Sequence, residues 1–275
     1  MLQGRCRRCL LSIGIDYAFG ALQRAEKDAE VLAFKFQTRN YRTRLAPNLS
    51  DRLALSTAIH DFAQCLEEST ELIVVYFAGY AVAAQGRVKL QLRNATSCGD
   101  LDPAHVVGVD ELLDLILRAR RPNCFVLAIL DFDNEIDLPT QEACTQGLVG
   151  SPWATLWSTG APEASLGYGS LVRGMLHHMV VDPQLQLTEI GQQLDRYVGD
   201  ERRVVVFGTR HAPLLFSQEV WNPQSMGLST IGRLRSTSTV QLRHGLDLCC
   251  RLAVWCVAQR KSACAKLTTN YAKLC

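Results

Sequence analysis

Tyr80 and Asp133 each follow an apolar run that stops abruptly: "ELIVVYFAGYA" for the first, "CFVLAILDFDN" for the second. They lie 53 residues apart. In a parallel α/β sheet, ligands and chemistry gather at the carboxyl ends of strands. A phenol and a carboxylate placed there can form a hydrogen-bonded pair, with Tyr80 donating to Asp133. The plainer reading, that each faces solvent, is preferred. Neither residue suits covalent catalysis on an amide. A phenol with a pKa near ~10 is a poor base at neutral pH. An aspartate acyl intermediate would be an anhydride, with no barrier lowered in return. Other candidate nucleophiles and bases are badly placed. Cys124 stands at the start of its strand, and Cys144 in a loop with no histidine to activate it. His105, His177 and His178 fall in a loop and a helix, where surface or packing roles are usual. Asp131, two residues before Asp133, reads as a loop-entry carboxylate capping backbone amides.

The elements that must position these residues alternate between strand and helix. "CLLSIGIDY" reads as a first buried strand over Cys9–Ile15. A stripe of Leu22, Ala25, Ala29, Leu32, Ala33 and Phe36 has the period of a helix. "YRTRLA" is a short strand. The next helix starts at Ser50 or Asn48 as N-cap and shows Leu53, Ala54, Thr57, Ala58 and Phe62 on one face. "ELIVVYFA" and "CFVLAILDF" are continuous apolar strands, as expected when helices cover both faces. "GRVKLQLRN" is an edge or hairpin strand, and "VDELLDLILRARR" a helix stopped by Pro122. "PWATLWSTGAP" is a strand, two helices follow, and "RRVVVFG" is the last strand. This order implies an α/β fold with a mostly parallel central sheet between two helical layers. One hairpin and one helix separate Tyr80 from Asp133, a connection that can set their strands side by side. The first strand is not followed by a phosphate-binding loop, which disfavours nucleotide enzymes.

The chain of 275 residues is 48% apolar and 20% charged, enough for a large core. Its net charge of +2 is unevenly spread. Residues 220–275 carry eight Lys/Arg and one acid, net +7, which leaves −5 for the first 219. That break sets a domain boundary, with 1–219 as the folded domain and 220–275 as a basic extension. The extension holds five cysteines (249, 250, 256, 264 and 275) without zinc-site pairing, so no metal is expected. Its basic and thiol groups permit membrane contact, but a tail docked on the acidic domain or partly disordered is preferred. Nucleic-acid binding is not expected. Eleven cysteines, an odd number, in a chain this long read as reduced thiols in a cytoplasmic protein. Asp16 breaks the early apolar run, which speaks against a signal peptide. No cofactor is indicated.

The ordered set of motifs resembles the caspase-like cysteine peptidases, which include caspases, paracaspases and metacaspases. In that group an apolar strand ends Ser/Ala-Gly-His-Gly, and a second ends Asp-x-Cys about 50 residues later. "VVYFAGYA" is similar to the first, with Tyr80-Ala81 in place of His-Gly. "VLAILDFDN" is similar to the second, with Asp133 in place of Cys. "TLWSTGAPEASLGYGSLVRGMLHHM" resembles the small-subunit region, and "RRVVVFG" stands at the final strand. The likeness covers about 9–216, large-subunit-like over about 9–145 and small-subunit-like over about 150–216. It implies a caspase-like three-layer sandwich. It also implies that Asp131 is a pocket candidate for a basic substrate side chain, and Asp137-Leu138-Pro139 is similar to a metacaspase motif after the nucleophile. With both dyad members replaced, the resemblance implies an inactive domain serving regulation or protein interaction. A protein partner follows, including pairing with an active homologue through Val204, Val205, Val206 and Phe207 of the last strand. Its two arginines also read as guards against promiscuous pairing. Two alternatives stay open: residual or non-standard proteolysis, and an unrelated flavodoxin-like binding domain.

Overall fold

The computed structural model describes residues 7–17, 24–97, 99–120, 124–132, 134, 136, 153–160, 168–184, 186–199, 202–208 and 215–216. Asp133, Cys144, Asp137-Leu138-Pro139 and the extension 220–275 lie outside them. Nine strands are described: β1 (Arg8–Gly14), β2 (Arg42–Pro47), β3 (Leu72–Gly79), β4 (Ala81–Ala84), β5 (Arg87–Gln91), β6 (Val106–Gly108), β7 (Phe125–Phe132), β8 (Trp153–Gly160) and β9 (Arg202–Gly208). The helices are α1 (Ala25–Gln37), α2 (Arg52–Gln64), α3 (Val109–Ala119), α4 (Ser170–Val181) and α5 (Leu187–Val198).

Six strands form one sheet in the order β2-β1-β3-β7-β8-β9. All neighbours are parallel except β8 and β9. β3 and β7 sit at its centre, buried along their whole length. That is why their sequences are unbroken apolar runs: successive side chains face opposite layers, and both layers are dry. Ile73, Val75, Phe77, Val126, Ala128 and Leu130 face α2 and α3. Leu72, Val74, Tyr76, Leu127 and Ile129 face α1, α4 and α5. Burying each such side chain contributes about 1.5–3 kcal/mol. A separate antiparallel sheet, β4-β5-β6, fills the connection between β3 and α3. The hairpin reading of β5 holds, and β4 and β6 are additional strands.

The loops that tie sheet to helices depend on a few polar residues. The Asp16 carboxylate accepts the amides of Ala25 (2.8 Å) and Glu26 (3.3 Å) and so caps α1 from the end of β1. Gly14 allows this approach, since a Cβ there would meet the Ala25 carbonyl oxygen at 2.1 Å.

The start of α2 differs from the sequence reading. Its N-cap is Asp51, whose carboxylate accepts the Ala54 amide at 2.9 Å, and Ser50 donates to Asp51. Asn48 instead adopts a left-handed φ of 51° and bridges β1 to α1. It accepts the Asp16 amide and donates to Glu26. The cap sets the phase of the helix. Leu55, Ile59 and Phe62 are buried, while Leu53 is 77% exposed. Of the expected face, Phe62 is buried and Ala58 packs partly buried against the core, while Leu53 and Thr57 are exposed.

After β9, Leu215 and Phe216 pack against α1 and the turn that follows it. Tyr41 donates to the Leu215 carbonyl at 2.8 Å, Arg39 donates to that of Phe216 at 3.1 Å, and the buried Phe216 ring meets Phe36 edge-on.

Candidate functional site

β3 and β7 are adjacent and parallel, with Ala78 opposite Asp131 and Gly79 opposite Phe132. Tyr80 and Asp133 each follow these last register partners by one residue. The topology thus brings the carboxyl ends of the two strands to one edge of the sheet; Asp133 itself lies outside the described residues.

Tyr80 is half-buried and held through its backbone. Its amide donates to the Tyr17 hydroxyl at 3.2 Å, and its carbonyl accepts the Gln91 amide at 3.0 Å. The Tyr17 hydroxyl in turn donates to the Gln91 carbonyl at 2.6 Å. The Tyr80 ring lies edge-on to Tyr17, with centroids 5.0 Å apart. Gly79 has no room for a side chain, because a Cβ would stand 2.8 Å from the Tyr17 hydroxyl. The phenol therefore belongs to an aromatic pair packed on the α2/α3 side of the core. The preferred reading that Tyr80 simply faces solvent therefore does not hold, because its ring packs on Tyr17 and the core; the alternative bond to Asp133 lies outside the described residues.

Asn134 joins the two strand ends. Its side chain accepts the Ala81 amide at 3.0 Å and donates to the Ala81 carbonyl at 2.7 Å. Thr159 on β8 donates to the Asn134 carbonyl at 2.9 Å and accepts the Ile136 amide at 3.1 Å. Three strand ends are stitched together by side chains that imitate backbone groups.

Asp131 is the last but one residue of β7, not a loop-entry cap. It is 3% exposed, and Arg202 at the start of β9 is likewise 3% exposed. The Arg202 guanidinium donates to the Asp131 carboxylate at 2.6 Å, to the Phe132 carbonyl at 2.7 Å and to the Ser158 hydroxyl at 3.1 Å. Tyr76 adds a donor to Asp131 at 3.3 Å. A buried carboxylate requires such compensation, since an unpaired charge in this environment costs several kcal/mol. Arg202 is thus an internal counter-ion. Only Arg203 of the two arginines is exposed, so a guard role is left to that residue alone. Sequence reading missed Arg202 because a charge at the start of an apolar strand looks like a solvated end.

The remaining candidates have other environments. His105 places Nδ1 3.3 Å from the Asp100 carboxylate. Backbone amides of Asp102 and Thr96 hold the Asp100 carboxyl down at about 2. His177 stacks on Tyr197 at 5.8 Å, and burial, then the neighbouring His177, lowers the pKa of His178. Cys124 is buried just before β7, at the opposite edge of the sheet from Asp131. Burial pushes its thiol up to about 11, the reverse of an activated nucleophile. Among the described residues no cluster of His, Cys, Asp or Glu has metal-binding geometry. No described helix is long and apolar enough to cross a membrane. β9 ends the six-stranded sheet; Val204 is buried, and Val205, Val206 and Phe207 are partly exposed.

No protein-family model matches the sequence, and no curated protein matches it. Solved structures do. Protein GSU0716 from Geobacter sulfurreducens superposes with a TM-score of 0.54 at 13% identity, over 78% of this chain and 97% of that one. The Drosophila initiator caspase Dronc superposes with a TM-score of 0.53 at 15% identity, over 75% of this chain and 81% of that one. The fold is therefore caspase-like, as the order of sequence motifs implied. At this identity the likeness concerns fold alone.

Proposed function

We propose that this chain is a catalytically inactive caspase-like domain that acts by binding other proteins. The observation that carries the reading is the environment of Tyr80. The strand end that must present a proton-shuttling base presents a phenol, fixed by its backbone and packed on Tyr17. A phenol in that place does not draw a proton from a nucleophile at neutral pH. At the sequence position that the resemblance assigns to the nucleophile, Asp133 carries a carboxylate rather than a thiolate. The described thiols beside these strands, Cys9 and Cys124, are buried at the amino side of β3 and β7, and burial raises the Cys124 thiol.

Binding in place of cleavage directs attention to β9. It is the terminal strand, its partner β8 lies on one side only, and Val205, Val206 and Phe207 are partly exposed. A terminal strand of this kind pairs readily with a strand of another chain. Its partner in this reading is a protein with the same fold that retains catalytic residues.

The test is incubation of the full chain with fluorogenic peptides bearing Arg, Lys or Asp before the scissile bond, with and without calcium. No turnover above buffer is expected. Turnover that disappears in Asp133→Ala overturns the reading.

A further inference from the structure

We propose that the α4/α5 hairpin is an acid-operated latch: the neighbouring His177 and His178 rings let it pack when neutral and loosen it when both are charged. The device belongs to the fold and does not depend on the domain being inactive.

His177 and His178 stand edge-on, with ring centroids 5.2 Å apart. The His177 ring also stacks on Tyr197 of α5, 5.8 Å away and tilted by 29°. α5 comes this close because residue 174 is glycine. A Cβ there would stand 2.7 Å from a Leu194 methyl and 3.0 Å from the Tyr197 ring. His177 is exposed and His178 is half-buried. Neutral rings pack side by side at this spacing. Two imidazolium rings at the same spacing repel, and charging the half-buried one also costs solvation.

The surrounding charges do not offset that cost. Asp182, just past α4, attracts a proton to His178, but burial first and His177 second outweigh it and hold the imidazole below its ordinary 6.5. A helix C-terminus favours a cation, and this pull is outweighed as well. From the turn after α1, Arg39 donates to the Met179 carbonyl, one residue from His178. Lys35, in the last turn of α1, lies over the Phe34 ring. On α4 itself Arg173 stands four residues before His177. On α5, Arg196 adjoins Tyr197, and the Asp195 carboxylate accepts the Val204 amide of β9 at 2.8 Å.

The end of α4 is lightly held. Met179 anchors it at 3% exposure, whereas Val180 and Val181 are 78% and 64% exposed. Valine is also a weak helix former. Release of this turn breaks the Arg39 bridge between the Met179 and Phe216 carbonyls. It also loosens α5, which reaches β9 where Gly191 lies against Val206. A released His178 binds its proton at higher pH than the packed one. Packing is therefore stable above 6.5 and is lost as pH falls through the lower packed value.

Hydrogen–deuterium exchange with mass spectrometry on the full chain tests the latch. After correction for intrinsic rates, peptides from α4 and α5 should lose about tenfold in protection between about pH 7.5 and about pH 5.5, and those from β3 and β7 should keep theirs. The loss should vanish in His177→Gln/His178→Gln and persist in His60→Gln, at an exposed position of α2. Unchanged protection of α4 and α5 at the lower pH overturns the proposal. So does an equal loss in β3 and β7, which would mean global unfolding, or an undiminished loss in the double variant. Should the double variant fail to fold, His177→Gln alone, at an exposed site, should cut the loss to less than about threefold by removing one of the two charges. An unchanged loss in that variant overturns the proposal.

Discussion

Asn134 holds Ala81 by both of its backbone groups, accepting the amide at 3.0 Å and donating to the carbonyl at 2.7 Å. Parallel strands β3 and β7 each end two residues earlier, so their ladder no longer fixes the chain there. The carboxamide supplies it. It sets the direction in which the chain leaves Tyr80 and enters β4, whose first residue is the buried Ala81.

Asn134→Ala should therefore destabilise the domain by about 2 kcal/mol, from two lost hydrogen bonds and buried groups left unpaired. Asn134→Asp keeps the acceptor and loses the donor, and should fall between the two. Denaturant unfolding monitored by tryptophan fluorescence measures both. Equal midpoints for the three proteins would show that the clamp contributes nothing.

α2 offers a contrast between two apolar residues six positions apart. Leu53 is 77% exposed, whereas Ile59 is 4% exposed and packs in the core with Phe62 and Leu113. Leu53→Gln should change stability by no more than about 0.5 kcal/mol. Ile59→Ala should cost about 2–5 kcal/mol through lost burial and a cavity. The opposite order in thermal unfolding would restore the face read from the sequence.

That face shows which part of the molecule a sequence can disclose. β3 and β7 were legible because burial on both sides leaves only apolar residues. Their adjacency followed from the length of the connection between them. The phase of α2 was not legible. Leu53 and Leu55 are equally apolar, and the choice between them rests on the cap. Ser50 and Asp51 are both good N-cap residue types, and in the fold Ser50 donates to Asp51, which is the cap. Asp16 read only as a break in an apolar run, although it caps α1 from nine residues away. Arg202 and Asp131 lie 71 residues apart in sequence. Nothing local marks a pair that exists only because β9 folds back antiparallel to β8. Tyr80 is visible in the sequence as the residue after an apolar run, but its partner Tyr17 comes from the segment after β1. Long-range polar pairs of this sort are products of topology, and topology is seen only after folding.

The loop before β6 should give the domain part of its acid sensitivity. Asp100 accepts the amides of Thr96 and Asp102, which hold its carboxyl at about 2, below its ordinary 3.8. A depressed folded-state value means stability that is present above the unfolded value and lost as pH falls through the folded one. The window is thus from about 4 down to about 2. Asp51 is lowered by the Ala54 amide and acts in the same direction. Asp16 acts oppositely: burial raises its pKa, so its protonation on acidification favours the folded state. Asp100→Asn should flatten the fall in unfolding temperature between pH 4 and 2. An unchanged slope would remove Asp100 from the account.

The described thiols divide by burial, and alkylation should divide them the same way. Cys65, at the end of α2, is exposed, while Cys9 and Cys124 are buried. At pH 8 a thiol needs both access and a thiolate fraction to react. Cys124 has neither, because burial raises its thiol to about 11 and the central sheet covers it. Native iodoacetamide treatment followed by peptide mass mapping should modify Cys65 within minutes and spare Cys9 and Cys124. All three should react once the chain is unfolded in guanidinium chloride. Rapid native labelling of Cys124 would mean that the amino edge of β7 opens on that timescale. It would also place a usable thiolate in the domain and so weaken the inactive reading at its most direct point.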